Sequence, residues 1–222
     1  MHDTVIYLGP TLDKEEASRI LEAVYLPPIS RGDLGRLPEH VKVIGIIDGE
    51  FFQTLAVSPK EIIRTLDRGV RVFGASSMGA LRESETHQYG TVGVGRVFTM
   101  FRDGFLDDDD EVALIYDAET FRPLSVPLVN IRYILEVAFS QDLIDREEMR
   151  LVLNRMKTLY FPDRTYAELK NFCPALAEML GRETVPDLKR EDAIEMLQAI
   201  KMQQVICDPI EVQPNRQGWK GD

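Results

Sequence analysis

Short apolar runs alternate with capped, charge-bearing segments through the first 90 residues of the chain, and the alternation predicts its elements. Val5-Ile6-Tyr7-Leu8 is an apolar run closed by Gly9-Pro10 and reads as a strand. Residues 13–23 read as a helix, with Asp13 at the N-cap and acids in the first turn. Residues 26–39, rich in Pro, Gly and charge, read as a loop. A second strand is predicted over residues 41–47, apolar almost throughout and so covered on both faces, ending at Asp48-Gly49. Ser58-Pro59-Lys60-Glu61 starts a helix, with Ser at the N-cap, Pro at the first position and Glu closing a capping box. It runs to about Asp67 and stops at Gly69. Residues 70–75 read as a third strand and residues 78–85 as the next helix.

Strand followed by helix, three times over, predicts a parallel sheet with right-handed crossovers. Beyond Gly90, residues 92–102 read as a glycine-bearing helix, residues 107–111 as an acidic run and residues 112–116 as one more strand. From about residue 130 the apolar spacing is helical, over residues 131–139, 146–160, 166–172 and 191–205. The tail from Asp208 is polar, with Pro and Gly, and is expected to fray. The expected fold class is α/β: a mainly parallel sheet core with flanking helices in residues 1–125, a helical C-terminal segment packed on it in residues 126–207, and a polar tail in residues 208–222.

Composition narrows the function. No apolar run approaches the ~20 residues of a membrane span, and the start of the chain lacks a basic leader region, so a cytoplasmic protein without membrane contact is expected. A formal net charge of -11 argues against nucleic acid as a partner. Cys173 and Cys207 read as buried thiols rather than a disulfide, and without clustered histidines they fall short of a structural zinc site. No metal and no cofactor are expected.

The candidate chemistry lies in Ala75-Ser76-Ser77-Met78-Gly79. This A-x-S-x-G stretch is one substitution from the nucleophile elbow, a sharp strand-to-helix turn that exposes a serine above the sheet. There, the Met78 and Gly79 N–H groups could meet an oxyanion. Either serine could equally be a plain helix N-cap. His2, His40 and His87 are poorly placed as bases: two precede strands at the wrong sheet edge, and His87 lies ten residues beyond Ser77, about 15 Å along one helix. Lysine remains. Lys60 follows the second strand and sits in the first turn of its helix, where the macrodipole disfavours a cation. An exposed first-turn lysine without a role would look the same.

Several blocks carry a resemblance to the TfuA family, accessory proteins of YcaO-dependent peptide thioamidation. In order they are Tyr7-Leu8-Gly9-Pro10-Thr11-Leu12, Pro27-Pro28 with Arg31-Gly32-Asp33, Ile44-Gly45-Ile46-Ile47-Asp48-Gly49, and Pro59-Lys60-Glu61-Ile62. The most specific is Gly74-Ala75-Ser76-Ser77-Met78-Gly79-Ala80-Leu81-Arg82 with Glu85, continued by residues 90–95 and 107–113. The resemblance covers roughly residues 5–135 and stops before the helical C-terminal part. It implies a hydrolase-like Ser–Lys site, with Ser77 as nucleophile and Lys60 as base. The implied substrate is a thiocarboxylated sulfur-carrier protein of the ThiS type, whose hydrolysis releases sulfide beside a YcaO enzyme. Around this pair, Arg82 is a candidate contact for the anionic substrate, although Glu85 three residues on offers it a surface pair. Asp48 is a candidate to orient Lys60 or a water, although Asp-Gly is also an ordinary turn. Gly9 lies at the same edge of the sheet.

Two other readings compete. A non-catalytic adaptor would dock on the YcaO protein, with the acidic run of residues 107–111 either contacting a basic surface or simply solvated. A phosphate binder is suggested by glycines near helix starts. It is weak, because neither a P-loop nor a GxGxxG pattern occurs.

Overall fold

The computed structural model of the chain describes residues 2–51 and 55–207, with side chains through residue 203. Five strands form one all-parallel sheet: β1 (Thr4–Tyr7), β2 (Val24–Leu26), β3 (Val43–Ile46), β4 (Arg71–Ala75) and β5 (Val92–Val94). Their order is β2-β1-β3-β4-β5. The α-helices are α1 (Lys14–Ile20), α2 (Pro59–Asp67), α3 (Met78–Thr86), α4 (Gly95–Arg102), α5 (Leu128–Ser140), α6 (Arg146–Thr158), α7 (Tyr166–Phe172), α8 (Ala177–Leu180) and α9 (Leu188–Cys207). The expected α/β fold is present.

Period-two alternation assigns each strand residue a layer. Val5, Tyr7, Ile44, Ile46 and Val72 pack with Ile62 of α2, Met78 and Leu81 of α3, and Val97 of α4. Ile6, Val43, Phe73 and Ala75 face the other way, against Ala17 of α1 and Ala193, Met196, Leu197 and Ile200 of α9. The last helix therefore belongs to the sheet's own layer, while α5 to α8 share a separate apolar cluster. Local signals are obeyed at the helix starts. Asp13 accepts from the Glu15 and Glu16 N–H groups, and Ser58 and Glu61 close a reciprocal capping box.

Three expectations are corrected. Residues 24–26 form an edge strand instead of helix end and loop. The helix before them stops at Ile20, and Tyr25 Oη donates back to the Ala17 and Leu21 carbonyls. Residues 92–94 form β5, paired with β4, and the following helix begins only at Gly95. Residues 112–116 form no strand: Tyr116 makes a single bridge to Pro123, and the Ile115 N–H goes to Ser125 Oγ.

The acidic run is claimed from within the chain. Glu111, buried, takes a two-point contact from Arg132 of α5, Asp110 pairs with the buried Arg164, and Asp108 pairs with Lys157 of α6. These pairs tie the segment after α4 to the helices, while Asp107 and Asp109 stay exposed. Cys173 is a free, buried thiol. The side chain of Cys207 and the polar tail lie outside the described residues, among which no helix is long and apolar enough to cross a membrane.

Candidate active site

In an open parallel sheet, ligands bind beyond the carboxyl ends of the strands, where the strand order reverses. Here that point lies between β1 and β3, and the loops after both meet there. Asp48, following β3 and 2% exposed, accepts from the Gly9 N–H (2.9 Å), the Thr11 N–H (3.1 Å) and Thr11 Oγ1 (2.6 Å). Its carboxylate thus shapes the loop after β1. Gly9 spends its N–H on this bond, and a Cβ there would lie 2.5 Å from Pro28, so its part is to let the two loops close.

β4 delivers the serines. Ser76 has φ of 69°, a left-handed conformation that costs a non-glycine residue about 1 kcal/mol. The Ser77 N–H returns to the Ala75 carbonyl at 2.8 Å, so the chain reverses within three residues. The strain falls on Ser76, one residue before the position implied by the elbow pattern. Ser76 Oγ is buried without a hydrogen-bond partner. Ser77 occupies the N-cap position of α3, yet its side chain makes no capping bond, so the ordinary capping role is not the one it performs.

Ser77 instead lines a small cavity of about 10 Å³, room for roughly one water, together with Asp48, Pro10, Val112, Tyr116 and Lys189. Lys189 is the residue that sequence reasoning missed. It stands second in α9, 2% exposed, with Nζ donating to the Val112 carbonyl at 2.9 Å and its N–H to Asn130 Oδ1 at 3.1 Å. Burial pushes its ammonium pKa down, while the Asp48 and Asp187 carboxylates work against that shift. A signal existed in the sequence. Pro186-Asp187-Leu188-Lys189 sets a lysine in the first turn behind an acid, the same irregularity that drew attention to Lys60.

The remaining sequence candidates are placed as follows. Lys60 is exposed in the first turn of α2 and is not among the residues lining the Ser77 cavity. Met78 opens α3, where a helix offers its N–H no carbonyl. The Gly79 N–H is already donated to the Ile47 carbonyl at 3.2 Å, and a Cβ there would lie 1.8 Å from the Ile46 oxygen. Glycine is what allows α3 to cross so close to β3. Arg82 donates to the Val57 carbonyl at 2.8 Å and to both oxygens of Glu85, so its guanidinium is spent within the protein. Tyr116, unforeseen, donates to Glu50 Oε1 at 2.8 Å, and burial with that acceptor raises its pKa. A hydroxyl and a desolvated amine at one cavity, with a first-turn N–H on the residue that follows the hydroxyl, are the parts of an acyl-transfer site.

The family model described as TfuA-like protein matches residues 48–165, more than half of the chain. The matched stretch contains Asp48, Ser77 and Tyr116 and ends before Lys189. No individually curated protein matches the chain.

Proposed function

The chain belongs to the TfuA-like family, and we propose that it hydrolyses a thiocarboxylated, ThiS-like sulfur-carrier protein with Ser77 as nucleophile and Lys189, rather than Lys60, as base. The sulfide would pass to a YcaO-type enzyme that thioamidates a peptide backbone. The observation that carries the reading is the cavity shared by Ser77 and a lysine whose charge burial disfavours.

In this mechanism Lys189 Nζ, neutral, takes the Ser77 proton as Oγ bonds to the thiocarboxylate carbon. The Met78 N–H faces the developing oxyanion. The tetrahedral intermediate collapses, the carbon–sulfur bond breaks, and sulfide leaves with the proton returned by Lys189. A water, deprotonated by the same amine, then attacks the Ser77 ester and frees a carboxylate. In balance, thiocarboxylate and water become carboxylate and hydrogen sulfide.

The test is mass spectrometry of the carrier, following conversion of thiocarboxylate to carboxylate. Positioned base catalysis is worth ~10²–10⁴-fold, so Lys189→Met, which keeps the apolar stem, should lose about that much. Ser77→Ala should lose as much, and the double variant little more, because the pair acts as a unit. Lys189→Arg should fail too, since a guanidinium cannot become a neutral base. Lys60→Ala should stay near wild type, and a loss there equal to that of Lys189→Met would return the base role to Lys60. Product formation undiminished in Ser77→Ala would leave only the adaptor reading.

A further inference from the structure

The Ser77 cavity adjoins a larger cleft. Pro10, Leu114 and Lys189 also line this cleft of about 430 Å³, whose far wall carries Arg122, Pro123 and Leu124. A second hollow of about 340 Å³ lies across the ridge formed by Pro10 and Pro123, with Thr120 and Phe121 in its wall. One structural arm separates the two. The Asp117 N–H meets the Arg122 carbonyl at 2.9 Å, the Leu124 N–H meets the Ile115 carbonyl at 2.9 Å, and Asp117 Oδ1 gathers the Thr120 N–H and hydroxyl. This arm holds Arg122 in the wall of the larger cleft, which shares Pro10, Leu114 and Lys189 with the Ser77 cavity.

Arg122, like Arg64, Arg146 and Arg150, makes no ion pair among the described residues, but it alone of these lines the cleft. Arg82, Arg96, Arg132, Arg164 and Arg190 each have a carboxylate partner. Among the described residues no carboxylate lies within ion-pair distance of Arg122, although acids outnumber bases 37 to 26. The nearest acid in effect, Asp117, is held by Thr120. At the inner end of the cleft, Asp187 is held by Asn130 Nδ2 and the Arg190 N–H, and Lys189 is desolvated. The cleft thus presents one unclaimed cation to an arriving ligand.

We propose that Arg122 is a specificity-determining residue: the cleft takes the extended C-terminal strand of a polypeptide, and Arg122 pairs with an acidic side chain a few residues before its end. The occupant follows from shape and charge. A cavity that holds one water admits only a narrow chain end to Ser77, best one without a side chain, whereas the wide outer cleft accommodates the residues upstream. On a protein of net charge -11, an acidic strand gains from a cation standing in the wall of the cleft it enters. The inference deepens the reading of Ser77 as the site of acyl attack and rests on it.

The experiment titrates two fluorescein-labelled peptides into the full chain by anisotropy. Both end in Gly-Gly with a free carboxylate, one with glutamates upstream and the other with lysines. Wild type should favour the glutamate peptide by about fivefold, the upper end for a partly exposed ion pair, and the preference should shrink at about 0.3 M salt. Arg122→Gln should abolish the preference and Arg122→Glu should reverse it, with circular dichroism confirming that both variants fold. Equal affinities in wild type, no binding of either peptide, or a preference unmoved in the variants would overturn the assignment. A preference that follows Arg122, with no Ser77-dependent hydrolysis of the thiocarboxylated glutamate peptide, would uphold Arg122 and sink the hydrolase reading.

Discussion

Glu83 lies on the inner side of α3, fully buried, with neither carboxyl oxygen hydrogen-bonded. Its Cγ would sit 2.4 Å from a Cβ placed on Gly74, so it underlies the end of β4 that leads into the serine turn. Burial pushes its pKa up to about 8; the Thr91 hydroxyl works slightly against this but is itself paired with Thr86. The sign follows from linkage. A carboxyl with a raised folded pKa contributes fully below its unfolded value of 4.5, and the contribution is lost as pH rises through 8. Asp192, pushed up to about 6 by burial, adds a similar loss at lower pH, and Lys189, whose charge burial disfavours, adds a slope of opposite sign, so the difference between wild type and a Glu83 variant is what isolates Glu83. From pH 6.5 to 8 the folded Glu83 keeps a proton that the unfolded chain has released, and at ~1.4 kcal/mol per pH unit its contribution to stability should fall by about 2 kcal/mol. Glu83→Gln keeps the shape without the proton. Urea unfolding at a series of pH values should show wild type losing about 2 kcal/mol relative to the variant between pH 6.5 and 8. An identical slope in both would refute a buried, neutral Glu83.

Two further substitutions test the frame around the site. Gly79→Ala drives a methyl to 1.8 Å from the Ile46 oxygen and should cost about 3 kcal/mol or more, lowering Tm by about 6–12 °C. Gly35→Ala, with open space around it, is the control, and an equal fall there would defeat the close-approach account. Arg164→Met removes the side-chain donor to the Leu159 and Asp110 carbonyls and to the Asp110 carboxylate, and should cost about 3 kcal/mol by urea unfolding. Hydrogen exchange over residues 107–113 should then speed up, and unchanged protection would mean that Arg164 does not hold the acidic run.

What the sequence by itself determined is what depends on near neighbours in the chain. Asp13, Ser58 and Glu61 cap their helices with bonds to groups two or three residues away, so their roles were legible from spacing alone. The long apolar runs of β1, β3 and β4 likewise announced a sheet covered on both faces, and the turn at Ser76-Ser77 announced itself by its position between strand and helix. β2 and β5 escaped because three half-exposed residues carry no period, and only pairing along β1 and β4 makes them strands. The acidic run looked like solvated surface because Arg132, Lys157 and Arg164 lie 21 to 54 residues further on. Lys189 depended on tertiary structure most of all. In sequence it is one of three first-turn lysines behind helix-starting signals, with Lys14 and Lys60, and nothing local separates it from Lys60. The packing of α9 against the sheet buries one and leaves the other in water. Burial, a property of the whole fold, is what disfavours the charge on an amine.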